Sequence, residues 1–322
     1  MSNLPLVIVN PASASGATRD AWPRLASELR THFGPFSCAF TARAGDGRAI
    51  AAREAAAGRR LIIACGGDGT ISEVANGILE SGADAELGVL PSGTGGDFRR
   101  SLGVPSRPAA AALALRHGRS RRIDVGRVSY IDHNGAEAAR YFLNVASFGM
   151  GGAVVERVKK SSSAWLPASA SRLLGGRLSF ATAALQTTLT FARPAVRVRL
   201  DGGRERQLTV TNLCVANARY FGGGMRVAPE ARLSDGLFDV VVIGDLSALT
   251  ILTRASRVYL GTHLGMEQVQ HFHATRLAAR PADADASIAI EVDGELPGRL
   301  PATFEMRPGA LRLRCPASPQ AT

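Results

Sequence analysis

Residues 64–76 read ACGGDGTISEVAN, and this stretch decides how the first third of the chain folds. Upstream, RRLIIAC (59–65) has the length and composition of a buried strand; downstream, TISEVANGILES (70–81) carries apolar residues at helical spacing. Three glycines and one carboxylate, Asp68, therefore stand where a strand hands over to a helix. Glycine is costly there unless something must approach the backbone closely. Thr70 and Glu73 have the T-x-x-E spacing of a capping box, which starts the helix after the glycines. In open α/β sheets ligands bind at the C-terminal ends of strands, and free N–H groups at a helix start suit phosphate. Asp68 would repel a bare phosphate, so it implies a divalent cation or a hydrogen-bonded ribose or hydroxyl.

Working outward, the same alternation continues. Strands are predicted at 4–10, 36–42 and 86–93, with helices at 20–33, 46–58 and 108–117 between and after them. That rhythm predicts a doubly wound α/β domain with a parallel sheet over residues 1–125. After Asp124 the pattern changes to short alternating runs such as VRVRL (196–200), with helices expected only at 153–160, 170–190 and 247–260. Residues 126–309 are read as a β-rich sandwich domain, and a last strand, 310–316, is expected to return to the first domain.

A second loop repeats the logic: PSGTGGD (91–97) follows the strand 86–93 and again carries an aspartate. Lysine chemistry is excluded. The only lysines, Lys159 and Lys160, lie in neither a Walker-type loop nor a kinase strand context. Any phosphoryl transfer must rest on backbone N–H groups, arginine and metal.

The net charge is +11, carried almost wholly by arginine. Between Arg157 and Gln207 ten basic residues stand against two acids. Such a surface suits an anionic membrane or phosphorylated ligands. Nucleic acid is not the expected partner: aromatics are only 6% and no recognition-module signature is present. The N-terminus reads as a first buried strand rather than a signal peptide, and no apolar run is long enough to span a bilayer. Cys38, Cys65, Cys214 and Cys315 are scattered, so reduced cysteines of a cytosolic protein are expected and a structural zinc site is not. His271 and His273 share one strand face. Two ligands do not make a metal site, and a solvated face is the reading.

VNPASASG (9–16), GGDGT (66–70), PSGTGGDF (91–98), IDVGRV (123–128), FLNVASFGMGG (142–152), RYFGGGMRVAPEARLSDGLFDV (219–240) and EVDGE (291–295) follow one another in order. With this set the chain resembles the bacterial lipid kinases of the diacylglycerol kinase catalytic-domain family, which includes sphingosine and ceramide kinases. GGDGT alone is shared with NAD kinases and phosphofructokinases; the ordered set is specific. The resemblance implies an NAD kinase/diacylglycerol kinase-like α/β domain, a β-sandwich, and an ATP site in the cleft between them. It implies nucleotide binding by Asn10, Thr41, Gly66, Gly67, Asp68, Gly69, Thr70 and Thr94, and magnesium organised by Asp68, Asp97 and Asp124. It implies Glu295 as general base, and a structural magnesium on the Asp235 carboxylate with the Arg232 and Leu237 carbonyls. A homodimer is expected on the same ground. On a continuing strand Asp293 and Glu295 would share a face.

Two departures stand out. Gly96 occupies a position where the family commonly has Asn, and after the NPASASG turn only Arg19 offers the expected base, slightly displaced. The reading is an ATP- and magnesium-dependent kinase of a diacylglycerol-like lipid hydroxyl, cytoplasmic and peripherally membrane-associated. Segment 157–207, with Trp165, Leu166, Leu173 and Leu174, is the expected contact with anionic lipid. A kinase of a soluble hydroxyl compound and a non-catalytic nucleotide- or lipid-binding regulator are the alternatives.

Overall fold

The computed structural model describes residues 4–93, 96–153, 191 and 193–316. Thr94, the helices expected at 153–160 and 170–190, and Trp165, Leu166, Leu173 and Leu174 lie outside the described residues, apart from the start of the first helix. The chain divides into two compact units, residues 1–125 with 308–322, and residues 126–307.

The first unit is built from β1 (Leu6–Val9), α1 (Ala17–His32), β2 (Ser37–Phe40), α2 (Asp46–Ala56), β3 (Leu61–Gly66), α3 (Asp68–Ser81), β4 (Glu86–Pro91), α4 (Asp97–Leu102) and α5 (Pro108–His117). The strands run parallel in the order β2-β1-β3-β4. β1 and β3 are buried along their whole length, as expected of parallel strands covered on both faces. Pro108 opens α5, where its missing N–H costs nothing. Gly82 closes α3 at φ 67°, the left-handed conformation glycine adopts without strain. α2 and α3 pack so closely that a side chain at Gly77 would meet the Arg48 carbonyl. The C-terminal end of the chain joins this sheet parallel to β4, pairing Arg312 with Glu86 and Leu313 with Leu87. The buried Glu86 carboxylate accepts from Arg314 Nε at 3.0 Å and fixes that return.

The second unit is antiparallel. Its strands are the end of β5 (Arg119–Asp132), then β6 (Glu137–Phe142), β7 (Val145–Gly149), β8 (Ala195–Leu200), β9 (Arg206–Thr209), β10 (Asn212–Ala216), β11 (Phe238–Ile243), β12 (Val269–Ala274), β13 (Arg276–Pro281), β14 (Ala289–Val292) and the start of β15 (Glu295–Cys315). One path runs β12-β11-β10-β7-β14-β15, and β15 also pairs with β13, which pairs with β8. Phe148, Val215, Val240 and Ile290 from the first group meet Val196, Val198, Leu277 and Phe304 in one apolar cluster. That is the interior of a sandwich, and the rings of Phe142 and Phe238 stack within it at 5.6 Å. The alternate residues Cys214, Ala216 and Val241 enter a second cluster with Val227, Leu246 and Met266. β10 and β11 are therefore buried on both faces. Beside them lies α6 (Ala248–Leu260), capped by Ser247 Oγ accepting from the Thr250 N–H.

Two readings of local structure are corrected here. α3 begins at Asp68, with extended Gly67 as its cap, so Thr70 and Glu73 form no capping box. Glu73 instead accepts the N–H groups of Gly45 (2.9 Å) and Gly47 (3.0 Å), pinning the loop that enters α2. Asp293 and Glu295 do not continue one strand either. Asp293 (φ 49°) and Gly294 (φ 87°) form the two-residue turn between β14 and β15, the left-handed pair that favours Asp-Gly in tight hairpins.

Candidate active site

Three loops leave the C-terminal ends of β1, β3 and β4, and hydrogen bonds tie them into one surface. Asn10 Nδ2 donates to Thr70 Oγ1 at 3.0 Å, and the Asn10 N–H donates to the Cys65 carbonyl. Thr18 Oγ1 lies 2.7 Å from Ser13 Oγ and 2.6 Å from Ser92 Oγ. Ala14 and Ser15 both adopt left-handed backbone (φ 54° and 56°), a strain that persists only where the surroundings impose it. Thr41 is buried beside this surface, its N–H on the Val9 carbonyl. Asp46 caps the Ala42 and Arg43 N–H groups, and those bonds lower its pKa.

The glycines of GGDGT divide their work. A side chain at Gly66 would collide with Thr70, and one at Gly93 would come within 2.6 Å of Gly67 Cα. Gly93 lets the two glycine-rich loops meet backbone to backbone, and Gly66 leaves room for the Thr70 side chain in the first turn of α3. A side chain at Gly69 would meet nothing within 4 Å, so this is where the helix start stays open to an incoming group.

The acids are also divided. Asp68 accepts the Asp97 N–H on one oxygen and the Phe98 N–H on the other, both at 3.1 Å. It thereby caps α4 across the gap between loops. Asp97 is buried and pairs with Arg100 at 2.7 Å. Asp124 is buried and accepts the Gly309 N–H at 2.7 Å, on the returning C-terminal segment. The structure thus joins Asp68 to the Asp97 N–H and Asp124 to the returning segment at Gly309. The donor set fits magnesium held through bound water, the way that ion usually meets carboxylates and phosphate. Burial and neighbouring Arg100 lower the pKa of Arg99, outweighing the opposite pull of Asp68 and Asp97. Gly96 stands at φ 67° as the cap of α4. That conformation is one glycine adopts freely and Asn tolerates better than other side chains.

In the second unit Glu295 is half-exposed and pairs with Arg140 at 2.7 Å. Burial alone would lower the pKa of Arg140, but the charge and hydrogen bond of Glu295, with Asp293, raise it. Asp293 accepts the N–H groups of Leu143 and Asn144, both at 2.9 Å, so the turn presenting Glu295 is strapped to the FLN segment. Beneath it lies Glu291, fully buried, accepting from Ser147 Oγ at 2.8 Å and from the Gly294 N–H. Burial pushes Glu291 up to about 8. Arg140 and Glu291 escape the sequence reading: strand register alone places one beside Glu295 and the other under its turn. In RLSDGL the Asp235 carboxylate accepts the Leu237 N–H at 3.2 Å, closing the turn that enters β11, with Arg232 exposed beside it.

A parallel sheet bearing a glycine-rich phosphate-type edge, followed by an antiparallel sandwich bearing a positioned carboxylate, defines a two-part phosphotransferase. Residues 5–128 match the diacylglycerol kinase catalytic domain, and residues 158–315 match the YegS C-terminal NAD kinase beta sandwich-like domain. A Pseudomonas aeruginosa protein named as a probable lipid kinase, YegS-like, is 33% identical over 281 residues, covering 85% of this chain and 82% of that one. A Mycobacterium tuberculosis diacylglycerol kinase is 31% identical over 275 residues, with the same coverage of 85% and 82%. A solved diacylglycerol kinase from Bacillus anthracis shares the fold at TM-score 0.70 and 22% identity, over 98% of this chain and 97% of that one. The chain belongs to the bacterial diacylglycerol kinase family and is a lipid kinase.

Proposed function

We propose that the protein transfers the γ-phosphate of ATP to a hydroxyl of a diacylglycerol-like lipid, with Glu295 as general base. The observation that carries this is the bonded surface at the ends of β1, β3 and β4, where Gly69 alone of the GGDGT glycines leaves the backbone open. Asn10, Thr41 and Gly66 to Thr70 line that surface, and Thr94 is proposed with them by resemblance. The α3 N-terminus directs N–H groups and its dipole at an incoming phosphate. Magnesium, when bound, would supply neutralisation of phosphate charge. Asp68, Asp97 and Asp124 would hold it through water, and the RLSDGL turn would hold a second, structural ion through Asp235 and the Arg232 and Leu237 carbonyls.

Phosphoryl transfer asks the protein mainly for positioning and charge neutralisation. Asp68 supplies the first by locking the α4 start to the GGDGT turn. Arg140 supplies it in the second unit by holding the Glu295 carboxylate in one orientation. A carboxylate so held can take the hydroxyl proton as the oxygen attacks, provided the hydroxyl comes within hydrogen-bond reach.

The lipid acceptor also requires contact with a membrane surface. Among the described residues no helix is long and apolar enough to cross a bilayer. α6 exposes Leu249, Tyr259 and Leu260 on a helix that also carries Arg254 and Arg257. That pattern supports a peripheral, anionic-lipid contact in addition to segment 157–207, with a homodimer kept as part of the proposal. Labelled ATP presented with mixed micelles of diacylglycerol, phosphatidylglycerol or a sphingoid base tests the reading. Magnesium-dependent label in a lipid is expected. Label only in a soluble acceptor, or none with ATP bound, would replace it with one of the alternatives.

A further inference from the structure

We propose that Asp239, His271 and His273 form a binding site for a divalent transition ion of the zinc class on the edge of the sandwich unit, separate from any magnesium the kinase reaction uses. The two histidines alternate on β12, and antiparallel pairing sets Asp239 of β11 directly opposite His273. The third ligand that the sequence lacked therefore comes from the neighbouring strand. Asp239 Oδ1 lies 2.7 Å from His271 Nε2 and 3.6 Å from His273 Nε2, and the three ligand atoms all fall within 4.8 Å of one another. A tetrahedral zinc with ligands at about 2.0–2.1 Å separates its ligand atoms by roughly 3.3 Å. The observed triangle brackets that size: one edge is 2.7 Å, one is 3.6 Å, and none exceeds 4.8 Å.

The electrostatics point the same way. The Asp239 side chain is only 3% exposed, and its ionic partners among the described residues are the two imidazoles, with no arginine. Burial raises its pKa, while His271 and His273 pull it down. A buried carboxylate without a permanent counter-charge is costly, and a bound cation would remove that cost. Imidazole selects zinc, copper, nickel or cobalt over magnesium, which prefers oxygen ligands. Exposure rises from Asp239 through His271 (20%) to His273 (52%), so an ion could enter from solvent and keep a water as fourth ligand. β12 ends the strand path, and the ion would clamp this edge strand to β11.

Cobalt(II), whose visible bands report tetrahedral coordination, tests the proposal on the untagged full chain stripped with chelator. One equivalent of cobalt with visible bands, displaced by zinc and untouched by millimolar magnesium, is expected. Zinc should raise the melting temperature by several degrees. His273→Gln alters an exposed side chain, so it should fold normally yet weaken cobalt binding at least tenfold and abolish the zinc shift; His271→Gln should do the same. Absence of cobalt bands and of a zinc shift in the wild type would overturn the site, leaving a histidine–aspartate ion pair. Bands and affinity unchanged in both variants would overturn it equally, by placing the ion on other ligands.

Discussion

The GGDGT turn of the first unit and the VDGE turn of the second use their aspartates alike and rest on different floors. Asp68 accepts two backbone N–H groups from the start of α4, and Asp293 accepts two from Leu143 and Asn144. In each case the aspartate straps a neighbouring segment to the turn, while the residue aimed outward is another: open Gly69 in one, half-exposed Glu295 in the other. The floors differ in chemistry. Below GGDGT lies Cys65, a buried thiol pushed by its burial up to about 12 and inert at neutral pH. Below VDGE lies Glu291, pushed to about 8. Of the two floors, only the carboxyl beneath VDGE is brought by its burial into the neutral range.

The largest effect is expected from Asp68→Ala, which frees the α4 start and misplaces the groups around the phosphates. Lipid phosphorylation should fall at least about 100-fold, with Asp68→Asn, which keeps one acceptor oxygen, in between. Equal activity of both variants and wild type would show that the strap is dispensable. Asp293→Ala removes two charge-assisted bonds and places alanine at φ 49°. Denaturant unfolding should report a loss of about 2–3 kcal/mol, and Asn, which tolerates that conformation, should cost about half.

Glu291 gives the pH test. Between 4.5 and about 8 the folded chain holds a proton that the unfolded chain has released. Its contribution to stability is therefore full below pH 4.5 and is lost as pH rises through 8, by up to about 1.4 kcal/mol per pH unit. Glu291→Gln keeps an acceptor for the Gly294 N–H and cannot titrate, so its unfolding midpoints from pH 5 to 8 should lose that slope. A slope shared by both proteins would assign it elsewhere. The smallest effect is expected from Gly96→Asn: the nearest atom to the added Cβ is Arg99 Nε at 3.1 Å, part of a flexible side chain. Stability should change by less than about 1 kcal/mol, whereas Gly96→Val, β-branched at a left-handed position, should cost more.

These contrasts also mark what the sequence could tell. α5 lies at 108–117, where the sequence predicts a helix, and the strand–helix rhythm of the first unit is written in local periodicity. The motifs of the resemblance single out Asp68, Asp97, Asp124 and Glu295, but not their bonds. The T-x-x-E spacing misleads at Glu73 because its true partners, Gly45 and Gly47, are far away in sequence and nothing in that spacing reveals them. Glu291 alternates with Ile290 and Val292 as an outward residue should, yet it is buried because β14 is covered on both faces. Asp239 becomes a ligand candidate only once the register of β11 on β12 is known. Local turns and periodicities are legible; partners brought by pairing across strands are not.

The division of labour between the two turns is the central claim, and one measurement tests it: ATP affinity and labelled-phosphate transfer, side by side, for Asp68→Ala and Glu295→Gln. Gln is the informative substitution at 295, because it leaves partly buried Arg140 an acceptor where Ala would leave its guanidinium without this partner. Asp68→Ala should lose both ATP affinity and transfer, while Glu295→Gln should bind ATP like the wild type and transfer almost nothing. Full transfer by Glu295→Gln, or loss of ATP binding in that variant alone, would contradict that division of labour.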